Sequence, residues 1–180
     1  MTASTELLVD AVGRVREAVH GAVGGAPAGL LHARLDPGAN TVAWLAWHLT
    51  RVQDDHVADA AGHEQVWTAD GWADRFALPL DRRSTGYGHS AEEVAAVRVP
   101  SADLLLGYHD AVSERTVAYL RTLADDDLAR VVDEDRDPPV TLGVRLVSLV
   151  SDDLQHAGQA ALLRGLLERG APHRPAGSGS

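Results

Sequence analysis

Apolar residues recur at helical spacing in four long stretches of the chain. In the first, Val12, Val15 and Val19 follow one another at intervals of three and four residues, and two glycines end the run. The second follows Asn40 and Thr41, either of which can cap a helix. The four stretches cover residues 5–23, 40–61, 101–123 and 141–169. The pattern predicts four long helices.

The segments between these stretches carry weaker patterns. Short helices are expected at residues 91–97 and 125–131, and a short extended segment at residues 130–135. Residues 62–100 form a long connection that contains Trp67, Trp72, Phe76 and Tyr87. Because long aromatic connections are seldom passive, this one is expected to cap the domain or to cover a site as a lid.

Four long helices, one long crossover and no run of alternating strands predict an all-α four-helix bundle. The crossover lies between the second and third long helices. The chain has 180 residues, which suits one domain, expected over residues 1–170. Residues 171–180, which end in Gly-Ser-Gly-Ser, are expected to be disordered.

Composition and charge exclude several classes of protein. Sixteen basic and 26 acidic residues give a net charge of −10, which argues against nucleic acid or an anionic membrane as partner. The chain has no cysteine, so disulfides and thiolate metal sites are excluded. The chain has no apolar run of about 18 residues, so no membrane span is predicted, and the N-terminal stretch does not resemble a signal peptide. A cytoplasmic location is therefore expected.

A candidate metal site comes from the second and fourth long helices. In the sequence DDLQHAGQ, Asp152 and His156 lie four residues apart and share a helix face. The surrounding stretch is apolar on most sides and is expected to be buried, where an unpaired carboxylate is costly. His48 lies in an apolar part of the second helix and completes a set of two imidazoles and one carboxylate. A hydrogen-bonded pair without metal remains the alternative.

Neighbouring polar residues have weaker assignments. Gln159 is expected to orient a ligand or a bound water, and Asp153 to face solvent or to support the site from outside. Asp55 and His56 are candidate proton acceptors, although they also fit a surface position. Arg51 is a candidate contact for an anionic cosubstrate group, with a surface ion pair as its alternative.

The sequences NTVAWLAWHL and DDLQHAGQ resemble the DinB-like metal-binding superfamily of four-helix bundles. This resemblance implies that His48, Asp152 and His156 bind a divalent metal, with zinc first and nickel, iron or manganese as alternatives. Many members have histidine where this chain has Asp152, whereas the thiol-dependent maleylpyruvate isomerase branch has a carboxylate there. The segments RVQDDH and EQVWTADGWADRF are similar to an actinobacterial group described as mycothiol transferases.

The resemblance implies a metal-dependent transferase or isomerase that uses a low-molecular-weight thiol, such as mycothiol, as cosubstrate. A bound metal stabilises the thiolate near neutral pH and so activates the thiol for attack on a small electrophile. Metal-assisted hydrolysis, with Asp55 or His56 as base, is one alternative. A non-catalytic metal-binding stress protein is the other. Small-molecule partners are expected, and a homodimer is compatible with the apolar helix faces.

Overall fold

The computed structural model describes residues 2–170, and the tail expected to be disordered lies outside these residues. The bounds of the helices in this part of the chain are α1 Ala3–Val23, α2 Ala28–Leu31, α3 Val42–Ala61, α4 Val66–Ala69, α5 Trp72–Phe76, α6 Ala91–Ala96, α7 Ala102–Leu120 and α8 Leu142–Glu168. The long helices α1, α3, α7 and α8 form the bundle. The predicted all-α class is therefore confirmed.

Three of the four long helices begin at a capping side chain. Thr41, not Asn40, caps α3, because its hydroxyl accepts a hydrogen bond from the Trp44 amide at 3.0 Å. Thr141 caps α8 in the same way. Gly62 ends α3 in the left-handed conformation that glycine adopts without strain. Ser101 precedes α7, but its side chain makes no capping hydrogen bond.

The bundle packs α8 against α1 and α3, and α7 against the same two helices. Its core is made of apolar side chains such as Val15, Val19, Leu45 and Leu49, each at most 2% exposed. Burial of a side chain of this size stabilises the fold by about 1.5–3 kcal/mol. The arrangement places α3 and α8 side by side, and these helices carry the candidate ligands. Within the described residues, no helix is long and apolar enough to cross a membrane.

The long connection is anchored to α3 by a buried carboxylate. Asp54, which is 2% exposed, accepts hydrogen bonds from the amides of Val66 and Trp67 at 2.9 and 2.8 Å. The rings of Trp67 and Phe76 pack against Tyr108 of α7. Helices α4 and α5 were not predicted, because four or five residues are too few to establish a helical period.

A small hairpin precedes α8. Strand β1, Val131–Asp133, pairs antiparallel with β2, Val140–Thr141, and a 3-10 helix at Asp125–Ala129 comes before it. The expected extended segment is present, but the second strand, only two residues long, was not predicted.

The expectation that α8 is buried in the bundle is wrong for one of its faces. One face of this helix is exposed along its length, because only two of its sides meet α1 and α3. The large apolar residues on this face are Val144, Val147, Leu154 and Leu162, which are 55%, 62%, 42% and 62% exposed.

Candidate metal centre

The three predicted ligands meet at one place between α3 and α8. Each of His48, Asp152 and His156 offers a ligand atom that lies within 4.8 Å of the other two. The Nε2 atom of His156 is 3.6 Å from Oδ1 of Asp152, and the two imidazole ring centres are 4.9 Å apart. His48 comes from α3, whereas Asp152 and His156 come from α8. The triad therefore forms through the packing of these two helices and not through local sequence spacing. The arrangement can hold a metal ion.

The hydrogen bond of His48 leaves its Nε2 atom free for a metal. Nδ1 of His48 contacts the backbone carbonyl of Thr85, in the long connection. A carbonyl oxygen only accepts, so Nδ1 must carry the proton and Nε2 keeps a lone pair. A backbone carbonyl on the second nitrogen is a common partner of metal-binding histidines.

His156 has the same tautomer as His48, with the proton on Nδ1. Its Nδ1 atom lies 3.3 Å from Oε1 of Gln159, one turn later on α8. Because this amide oxygen accepts, Nδ1 of His156 is the donor, and Nε2 carries the lone pair beside Asp152. Gln159 therefore lies where the sequence analysis places it, next to a candidate ligand.

The donor set fits a divalent metal. Two neutral imidazole nitrogens and one carboxylate oxygen match the chemistry of zinc and of several other divalent ions. Burial lowers the pKa of His48, so this ring stays neutral and able to coordinate at neutral pH. A three-residue set also leaves coordination positions for a small molecule.

Aromatic rings form one wall of the site. Trp44 stacks on His48 with ring centres 4.6 Å apart and an interplanar angle of 14°. The same indole meets the ring of His156 edge to face at 6.5 Å. This wall holds the planes of both imidazoles and excludes water from one side.

Arg51 is enclosed in protein, so its surface ion-pair interpretation is wrong. The side chain is 0% exposed, and its guanidinium contacts Gln65, Tyr108 and the carbonyl of Ser84. It also lies 4.9 Å from the ring centre of Trp67. These contacts join the connection to the bundle and leave Arg51 away from solvent, so a cosubstrate would have to displace them to reach it.

The two candidate proton acceptors are both engaged by other side chains. Asp55 accepts a hydrogen bond from Nε2 of Gln65 at 2.7 Å. Nδ1 of His56 lies 2.6 Å from Nη1 of Arg145, whose Nη2 contacts Asp133 at 3.0 Å. An arginine only donates, so the lone pair of His56 is occupied. Burial, followed by the charge of Arg145, lowers the pKa of His56.

Asp153 points into the bundle and not to solvent, contrary to one of its two sequence interpretations. It is 1% exposed, and its Oδ1 atom has no hydrogen-bond partner. Burial, with the neighbouring charge of Asp152, raises the pKa of Asp153 well above its usual range. The rotation of about 100° between consecutive helix residues separates the two aspartates.

Sequence reasoning missed the loop that supports His48. Gly86 has φ +95, and a Cβ atom at this position would lie 2.6 Å from Nδ1 of His48. Only a glycine lets the backbone approach the imidazole so closely. The signal is the sequence STGYGHS, in which two glycines and a histidine follow the serine and threonine that contact the bundle.

Comparison with known proteins agrees with this fold. The sequence model of the DinB superfamily matches residues 11–160. The chain is similar to the crystal structure of a conserved protein from Enterococcus faecalis, with 30% sequence identity and a TM-score of 0.87. The similarity covers 94% of this chain and 99% of that one. A search of functionally curated proteins gives no match. Because the family match spans most of the sequence and includes all three candidate ligands, this chain belongs to the DinB superfamily.

Proposed function

We propose that this protein is a metal-dependent enzyme in which a low-molecular-weight thiol attacks a small electrophile, by S-transfer or isomerisation. The observation that carries the proposal is the triad itself: His48, Asp152 and His156 each offer a ligand atom within 4.8 Å of the other two. A divalent metal held there, zinc in the first instance, would lower the pKa of a bound thiol.

Other residues at the site position the ligands and balance charge. Trp44 fixes the imidazole planes and excludes water, and Gln159 orients His156. Asp152 supplies a negative charge that offsets part of the metal charge. The site lies at the edge of the bundle, where the Asp152 side chain is 43% exposed, so a small molecule can reach it from solvent.

The environment of His56 favours thiol chemistry over hydrolysis. Hydrolysis needs a group that takes a proton from water; Arg145 engages the lone pair of His56, and Gln65 donates to Oδ1 of Asp55. A thiol on a metal loses its proton near neutral pH and has less need of such a base. We therefore give Asp55 and His56 supporting roles, and we assign Arg51 to holding the connection.

The test is turnover with and without thiol. Zinc-loaded protein would be mixed with monochlorobimane and, in separate reactions, mycothiol, bacillithiol or glutathione, with thioether formation followed by fluorescence. We expect a rate above background that needs both thiol and metal and is lost in His156→Ala. Arg164→Ala, on the same helix but outside the triad, is the control.

Turnover without any thiol would instead support hydrolysis, and metal binding without turnover of a broad electrophile panel would support a non-catalytic role. A thiol requirement would fit a reducing compartment such as the cytoplasm, which we propose as the location.

We further propose that a second copy of the chain covers the exposed face of α8. Its four large apolar residues, Val144, Val147, Leu154 and Leu162, lie on one side of the helix, and the exposed positions between them are small or uncharged, such as Ser151 and Gly158. A cluster of exposed apolar residues is typical of an interaction surface. Sedimentation velocity should therefore give a dimer mass, and Val147→Glu should give a monomer with the same helical content. A wild-type protein that stays monomeric at high concentration would contradict this proposal.

A further inference from the structure

The loop of residues 84–89 contacts His48 at its Nδ1 atom. Thr85 supplies the carbonyl that receives the Nδ1 proton of His48, and Gly86 allows the backbone to come this close. The orientation of His48 therefore depends on where this loop is held. Arg51 donates to the carbonyl of Ser84, and two further contacts that hold the loop are made through His89.

The hydrogen bonds of His89 have a fixed direction. Nε1 of Trp44 is a donor only, and it lies 3.1 Å from Nδ1 of His89, so this Nδ1 accepts. The proton of the neutral His89 ring is then on Nε2, which donates to Oγ of Ser84 at 2.7 Å. Oγ of Ser84 also lies 3.4 Å from the amide of Gly86. His89 thus connects α3 to the residue that precedes Thr85.

These contacts form a closed chain that begins and ends at His48, the candidate ligand. Trp44 holds His48 by stacking and holds His89 by its indole N–H. His89 holds Ser84, and the next residue, Thr85, returns to His48. His89 also stacks on Trp47, with ring centres 5.8 Å apart. Each contact in this chain helps to constrain either the plane or the tautomer of His48.

We propose that His89 is a positioning residue for the metal site: through Ser84 and Trp44, it fixes His48 in the tautomer and orientation that present Nε2 to the metal. The inference rests on the proposed metal site but concerns a residue outside the triad. Loss of a residue that orients a metal ligand typically weakens metal affinity 10–100-fold. By linkage, metal bound at His48 also stabilises the loop in this conformation.

The first experiment measures zinc affinity by competition with a chelator dye. His89→Ala should raise the dissociation constant about 10–100-fold. His89→Gln, which can both accept from Trp44 and donate to Ser84, should recover most of this loss. Tyr87→Ala is the matched control, because Tyr87 belongs to the same loop and is 93% exposed. Equal losses in the alanine and glutamine variants, or wild-type affinity in His89→Ala, would overturn the proposal.

A second pair of variants keeps the test valid if His89→Ala fails to fold. Trp44→Phe preserves an aromatic face on His48 but removes the indole N–H, and Ser84→Ala removes the acceptor of His89. Both should weaken zinc binding about tenfold, with a melting temperature close to that of Tyr87→Ala. Wild-type affinity in both variants would refute the hydrogen-bonded chain.

A third measurement separates this inference from the proposed function. Long-range proton–nitrogen NMR of the metal-free protein reports the tautomer of His48 directly. We expect the Nδ1–H form in the wild type and a mixture of tautomers in His89→Ala. An Nε2–H tautomer in the metal-free wild type would refute the positioning role whether or not zinc binds. If the wild type shows the Nδ1–H form but takes up no zinc, the proposed function fails while the role of His89 in setting the tautomer stands.

Discussion

Acid should destabilise the fold through a buried histidine in the bundle core. His109 of α7 is 0% exposed, and its Nδ1 lies 3.1 Å from Oγ1 of Thr50. The Thr50 hydroxyl donates to the carbonyl of Ala46, so it accepts from His109, whose ring is neutral. Burial lowers the pKa of His109 from an ordinary 6.5 to about 4.

The sign and size of the effect follow from these two pKa values. Between pH 6.5 and pH 4 the unfolded chain binds a proton at this position and the folded chain does not, so the free energy of unfolding falls as the pH falls. The difference between these two pKa values corresponds to about 3 kcal/mol over the whole interval, of which about 2 kcal/mol is lost between pH 7 and pH 5.

The perturbation is His109→Gln, which keeps a donor for Thr50 but does not titrate. Urea unfolding of both proteins at pH 7, 6 and 5 gives the free energy of unfolding at each pH. The variant is expected to lose less stability than the wild type, by about 2 kcal/mol between pH 7 and pH 5. Parallel pH profiles for the two proteins would refute the argument, because they would mean that the folded state accommodates a charged His109.

Two further predictions concern the connection and its loop. Asp54→Asn leaves the buried Arg51 without its carboxylate and should lower the free energy of unfolding in urea by about 3–5 kcal/mol. Asp59→Asn, at an exposed position of the same helix, is the control. An equal small effect in both variants would contradict the prediction. Gly86→Ala places a Cβ against His48 and should weaken zinc binding more than tenfold. Gly88→Ala is its control, because Gly88 also has a positive φ but faces open space, and equal affinities in the two variants would show that steric contact with His48 is unimportant.

The frame of the fold and the pairing of Asp152 with His156 were predictable, because each has a periodic signature. The long helices repeat their apolar residues over many turns, and Asp152 and His156 share a face by spacing alone. His48 was placed with them by resemblance and by its apolar surroundings, and the structure brings it to the same point.

The remaining features depend on contacts between residues that are distant in the sequence. Thr85 supports His48 across 37 positions, and no local pattern records that contact. Arg51 was given a surface ion pair as its alternative, whereas the connection folds back and buries it. The exposed face of α8 was missed because its composition is apolar, and composition alone does not distinguish a core face from an interaction surface.

The central claim, that this chain holds a metal at the triad, is tested most directly by the metal content of the purified protein. Inductively coupled plasma mass spectrometry would be applied to the wild type, His156→Ala and the control Arg164→Ala, each after reconstitution with zinc and dialysis. The account predicts about one metal ion per chain in the wild type and the control, and almost none in His156→Ala. No bound metal in the wild type, or an undiminished content in His156→Ala, would contradict it.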